Sequence, residues 1–426
     1  MSGITNLVNH INLPRFVRVH QSFPHNELSR EEIGIILENY FSQPEIKNAI
    51  KPKERICITC GSRGVSNMVF VTRWLADKVK ELGAYPFLVP AMESHGGATA
   101  EGQKKILESL GITEDSIGCP ILSSMETVKI SEVEDFSVNM DKNAFEADGV
   151  IVLNRIKAHT SFEGPVESGL MKMMAIGLGK QYGAHICHAK GDDYMSHRIF
   201  LIGNEMIKNA NIRIGVGLIE NAFDKTCKVA VIPANKIPEE EPKSLKEAKK
   251  EMGRIYLDSC DVLIVKELGK NYSGAGMDPN VTGRCANPKL HKGIDSQRLG
   301  IFDLTAESHG NATGMGRADL ATEKFFHKIS FDETYPNFIT GYSPVGYQIP
   351  IIVDNEEEVM KAAVASCLDI DYENPRIIIV NNSLEIENIL ISEAMIPETE
   401  NIPQLTVGED KFYIEFDLDG NMKTVI

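Results

Sequence analysis

Short apolar runs, each ending in a polar loop that opens into a helix-like segment, recur through the first half of the sequence. Residues 55–60 (RICITC), 85–89 and 150–153 are such runs, rich in β-branched or aromatic side chains. Runs of that length bounded by Gly, Pro and polar residues read as buried strands. Between them, Met68, Val71, Leu75 and Val79 recur at nearly helical spacing, with Ser66 as a cap ahead and Gly83 as the stop. Residues 100–110 form a second helix after the loop at 93–99. Strand, loop and helix in alternation is the pattern of a parallel sheet with crossover helices, an α/β fold.

The same logic extends along the chain. Residues 11–27 are strand-like, and Ser29-Arg30-Glu31-Glu32 is a capping sequence for a helix over 33–40. Residues 193–209 read as a helix, and 212–219 and 228–232 as strands. The charged, Pro-bearing stretch 236–251 reads as a domain boundary or as a solvated helix face. Beyond it, 260–265 (CDVLIV) echoes 147–152 (ADGVIV), and 299–304 and 376–380 are further strands. Asp419-Gly420 marks a hairpin turn in the closing segment 411–425. A chain of 426 residues can fill two cores. The expectation is two domains, 1–255 and 256–426, each with a mainly parallel sheet flanked by helices, and an active site in the cleft between them.

Composition excludes some classes. The formal net charge is −16, and no Lys/Arg run tracks a phosphate backbone, which argues against nucleic-acid binding. No apolar stretch reaches the ~20 residues that span a bilayer. The first residues lack the basic and apolar regions of a signal peptide, so a cytoplasmic protein is expected. Most of the eight cysteines sit in apolar runs, as buried thiols of a reducing compartment do. Cys57 and Cys60 have a CxxC spacing, yet both lie within a strand and no second pair exists to complete a zinc site.

Chemistry-bearing residues gather just after strands. Arg63 follows the first run, His95 the second and His159 the third. Ligands of open α/β sheets bind at the carboxyl ends of strands. Imidazole titrates near neutrality and gives or takes a proton, and arginine holds a carboxylate bidentately. Lys172 stands alone among glycines and apolar residues, where a desolvated amine becomes a nucleophile or a covalent anchor. His185 and His188 lie one helical turn apart, and Glu163 or Glu167 could complete a zinc site with them.

These residues resemble the nickel-dependent lactate racemase family, over nearly the full length and most clearly over 55–200. The family's arginine falls on Arg63, and its two acid/base histidines on His95 in SHGGATAEG and His159 in KAHTSFEG. Its anchoring lysine falls on Lys172 in SGLMKMMAIGLG, and its nickel-binding histidine on His188. The Lys172-to-His188 spacing is the most specific part of the match. Where the family has an Asp in the first motif, this chain has Cys60. Where it has Gly-Gly-Arg-Lys, this chain has Gly169-Leu170-Met171-Lys172. Where it has a Gln and a Lys near the substrate, this chain has the loop ending in Arg284.

The resemblance implies an isomerase, a racemase or epimerase of a small 2-hydroxy acid. Its cofactor would be a nickel-pincer nucleotide, covalent at Lys172 and liganded by His188, which takes up and returns the substrate's hydride while His95 and His159 move the hydroxyl proton. Partners would be the enzymes that make the cofactor and insert nickel, and self-association stays open. Arg284 and His309, with Arg317, would face a polar substrate group, so the substrate would be larger or more polar than lactate. Two other readings stand beside this one: a zinc-dependent hydrolase using His185 and His188, and a non-catalytic small-molecule-binding relative.

Overall fold

The apolar runs of the first half become neighbours in one sheet. The computed structural model describes residues 3–341 and 344–426. In chain order the strands are β1 (Phe16–Gln21), β2 (Arg55–Cys60), β3 (Tyr85–Pro90), β4 (Thr127–Val133), β5 (Phe136–Asp141), β6 (Gly149–Arg155), β7 (Ile212–Glu220) and β8 (Thr226–Pro233). They continue with β9 (Ser259–Leu268), β10 (Asp295–Leu304), β11 (Leu320–Thr322), β12 (Ile351–Val353), β13 (Ile377–Val380), β14 (Asn388–Ser392) and β15 (Leu405–Val407).

Contacts divide the chain into two units, His25–Met252 and the pair of segments Met1–Pro24 and Gly253–Ile426. The sequence division after residue 255 placed the first residues in the N-terminal domain. Instead β1 pairs with β14 and β15, a non-local partnership that no local pattern announces. The charged stretch is a helix, Ile237–Glu251, that ends at the boundary. It is not a purely solvated face: Leu245 and Ala248 pack on Ile156, Ile219 and Cys227.

In the His25–Met252 unit the sheet order is β3-β2-β6-β7-β8, parallel except for β8. Side chains alternate between its faces. Ile56, Ile58, Ile151 and Leu153 join the core under the helices Arg30–Phe41 and Met68–Glu81. Cys57, Val150 and Val152 face the other layer, with Met171, Ile199 and Met206. The Ser29–Glu32 capping box forms as the sequence indicates. Ser66 does not cap the next helix; Asn67 takes that place in left-handed conformation, while the Ser66 backbone N–H donates to Glu220.

The other unit carries an eight-stranded mixed sheet, β12-β11-β10-β9-β13-β14-β1-β15, parallel from β12 to β13. Around Asp419-Gly420 the chain turns, with a single bridge between Phe416 and Met422. Among the described residues no helix is long and apolar enough to cross a membrane.

Candidate functional site

Adjacency in the sheet builds the site. β3, β2 and β6 lie side by side and parallel, so the loops after them open at one end. Those loops carry His95, Arg63 and His159 respectively. Neighbouring strands are about 4.8 Å apart, so side chains from successive loops are within reach of one another.

His95 is held by a neighbour from the next loop. Ser62 Oγ lies 2.5 Å from His95 Nδ1, and Glu93 Oε1 lies 3.8 Å from Nε2. A hydroxyl rotates, so Ser62 can donate to Nδ1 or accept from it, and His95 keeps access to both tautomers.

His159 is held differently. The Ser161 backbone N–H donates to Nδ1 at 3.1 Å, which places the proton of the neutral ring on Nε2. Nε2 lies 3.1 Å from Lys172 Nζ. For Nε2 to donate here the lysine must accept, which favours its unprotonated form. Electrostatics agree: desolvation pulls the Lys172 pKa down, Glu93 opposes this and Arg63 adds to it. His159 also stacks on Phe162, with centroids 4.1 Å apart, and its backbone N–H donates to Glu167 at 2.7 Å.

Lys172 ends a short helical turn, Leu170–Lys172, that runs into a π-helix, Met173–Leu178, and then the helix Lys180–His188. π-Helical turns are rare and recur at functional sites. Gly177 lets this segment press against the His95 loop: a Cβ there would lie 2.8 Å from Ala91 O. At the start of the segment Glu241 accepts from the Met171 N–H at 2.8 Å. Burial pushes the Glu241 carboxyl up to about 8, against the backbone donors of Met171 and Leu170.

His188, at the far end, is half-buried. Desolvation lowers its pKa, Glu93 opposes this, and Lys172 lowers it further. Its imidazole is therefore held towards the neutral form. Cys187 beside it is buried, and its thiol is pushed up to about 12 by desolvation. Lowered pKa values at both groups favour the unprotonated amine and the neutral imidazole. That chemistry fits a group tethered at Lys172 whose metal takes one protein imidazole and brings its other ligands with it.

An all-protein zinc site does not form. Among the described residues no three His, Cys, Asp or Glu side chains converge on a common point. Glu167 bonds the His159 N–H and Lys249 Nζ, the latter at 2.7 Å, and His185 is exposed. Cys57 and Cys60 project into opposite cores, as residues three apart on a strand must, and burial raises both thiols, Cys60 to about 12.

The other unit treats its cations otherwise. Arg284 Nη2 bonds Asp319 Oδ2 at 2.7 Å and the carbonyls of Ser296 and Gln297, at the amino end of β10. That is the amino end of the strand, whereas ligand-bearing loops follow the carboxyl ends. His309 is exposed after β10, in left-handed conformation, and Arg317 is buried with Nη1 3.4 Å from Ala275 O.

Four residues of the first unit were not assigned roles from sequence: Ser62, Glu93, Lys180 and Glu241. Ser62 and Glu93 had a signal, since both lie in the loops after β2 and β3. Lys180 and Glu241 had none.

Two solved structures share this fold. One is a protein from Thermotoga maritima, with a TM-score of 0.53 and 11% identity over 85% of this chain and 99% of that one. The other is the lactate racemase apoprotein from Thermoanaerobacterium thermosaccharolyticum, with a TM-score of 0.56 and 14% identity over 87% of this chain and 99% of that one. No family model and no curated protein matches the sequence.

Proposed function

We propose that this chain is a racemase or epimerase of a small 2-hydroxy acid, working with a nickel-pincer nucleotide tethered at Lys172. The observation that carries the reading is the buried Lys172 amine, its pKa pulled down by desolvation and its Nζ 3.1 Å from His159 Nε2. The shared fold with a lactate racemase supports it. A neutral, desolvated amine is the form that makes a covalent bond.

When bound, such a nucleotide supplies the acceptor for the hydrogen on the substrate's C2. The chain's own residues do the rest. His188 Nε2 or Nδ1 gives a lone pair to the metal. Arg63 holds the substrate carboxylate. His95 takes the hydroxyl proton at Nε2, because its Nδ1 proton can be donated to Ser62 Oγ. His159, with its proton on Nε2, gives one back. The enzymes that make the nucleotide and insert nickel would be partners.

Intact-mass analysis of protein co-expressed with the cofactor-making enzymes tests the tether. A mass addition with bound nickel is expected, followed by turnover of at least one acid in a panel of lactate, malate, 2-hydroxyglutarate and gluconate. Protein that gains neither mass nor nickel sinks the proposal. An adduct without turnover of any 2-hydroxy acid would make the chain a non-catalytic relative.

A further inference from the structure

Lys180 is a buried lysine without a role in the chemistry above. Its side chain is 1% exposed and its partner Asp141 0%, with Nζ 3.1 Å from Oδ2. The same ammonium donates to Pro90 O at 2.5 Å and to Gln103 Oε1 at 3.1 Å. Gln103 in turn donates through Nε2 to Glu93 O at 2.9 Å. One charge thus grips both ends of the 90–93 segment, directly at Pro90 and through Gln103 at Glu93. The next turn closes on His95, whose N–H bonds Met92 O.

The backbone there is strained. Lys180, Glu93 and Ala98 all have positive φ, at 53°, 51° and 53°. Non-glycine residues in that region are strained and persist where the surroundings over-determine them. Net stability is a poor reason for the ion pair, since a buried pair is often no better than apolar groups of the same volume. What the lysine does supply is two directed hydrogen bonds, to Pro90 O and Gln103 Oε1, from one point held by its ion pair.

We propose that Lys180 is a positioning residue for His95: through Pro90, Gln103 and Glu93 it fixes the loop so that the imidazole meets Ser62. The chemical meaning of this rests on the racemase reading, but the geometry does not, and the two are tested apart.

The first measurement is the ring ¹⁵N NMR spectrum of His95 in unloaded protein, for the native chain, Lys180→Met, Lys180→Met/Asp141→Asn and Gln103→Leu. The double variant avoids an unpaired buried carboxylate, and Gln103→Leu keeps the ion pair. The native His95 is expected to show hydrogen-bonded Nδ1. The Lys180 variants should lose that signature towards a free tautomer mixture, and Gln103→Leu should move the same way by less. Unchanged His95 signals in a folded Lys180 variant would overturn the proposal. If both Lys180 variants fail to fold, as judged by circular dichroism, Lys180 is scaffold for the whole unit and the proposal also falls. The second measurement is kcat and KM of loaded protein: a drop in kcat of about tenfold with KM unchanged is expected for the double variant, and an unaltered kcat counts against it. If the native protein turns over no 2-hydroxy acid, the racemase reading fails while the NMR arm still decides Lys180.

Discussion

The two parallel sheets offer similar residues near strand ends and use them in opposite ways. In the His25–Met252 unit, Arg63, His95 and His159 follow three adjacent strands, and the histidines bond other side chains, Ser62 and Lys172. In the other unit, Arg284 Nη2 bonds Asp319 and two carbonyls, and Arg317 reaches a backbone carbonyl. A cation that completes backbone hydrogen bonds is part of the scaffold. A lysine whose burial lowers its pKa and whose neighbour is an imidazole is placed for chemistry. Residue type and position after a strand do not distinguish these cases; the partners do.

The comparison breaks most decisively at Lys172. Lys172→Ala should abolish the covalent adduct while leaving the fold, since alanine suits a buried helical position. An adduct that survives in this variant, read by intact mass, would remove Lys172 from the chemistry and leave the first unit no more reactive than the second.

The histidines come next. His95→Ala and His159→Ala should each lower kcat by about a hundredfold or more while nickel content holds, the usual size of a general acid/base contribution. His188→Ala should lose nickel first. Nickel lost from the His95 or His159 variant would make that residue a ligand.

Arg284 sharpens the other side. Arg284→Met removes the ion pair to Asp319 and two hydrogen bonds to backbone carbonyls. A loss of about 1–3 kcal/mol in unfolding free energy is expected, with kcat/KM unchanged for every acid tested. Loss of turnover without loss of stability would return Arg284 to the substrate.

The smallest effect is at Glu241. Its folded pKa is raised from 4.5 to about 8, so the folded state binds more protons across that range than the unfolded state does. Stability from this group is therefore full below the lower value and falls as pH rises towards the upper one. Glu241→Gln should flatten the fall of Tm between pH 5 and 8. An identical pH profile in the variant would show that Glu241 is ionised throughout.

Much of the first unit was legible. β2 spans the residues read as a strand, and the Ser29–Glu32 box and the helices Met68–Glu81 and Ala100–Ser109 follow their local patterns within a residue or two. Periodicity, caps and turn residues are local, and a chain segment carries them wherever it packs. The partnership of β1 with β14 and β15 joins the two ends of the chain, and nothing in residues 16–21 names those partners.

The sequence by itself determined the α/β class of the first unit, its strands, and the placement of Arg63, His95 and His159 after them. Tertiary structure alone decided that burial lowers the Lys172 pKa, that His95 has a rotating hydroxyl where His159 has a fixed N–H, that Arg284 pairs with Asp319, and that Lys180 grips the His95 loop. Protonation and tautomer depend on desolvation and on partners a few ångströms away, and folding draws those partners from distant parts of the chain.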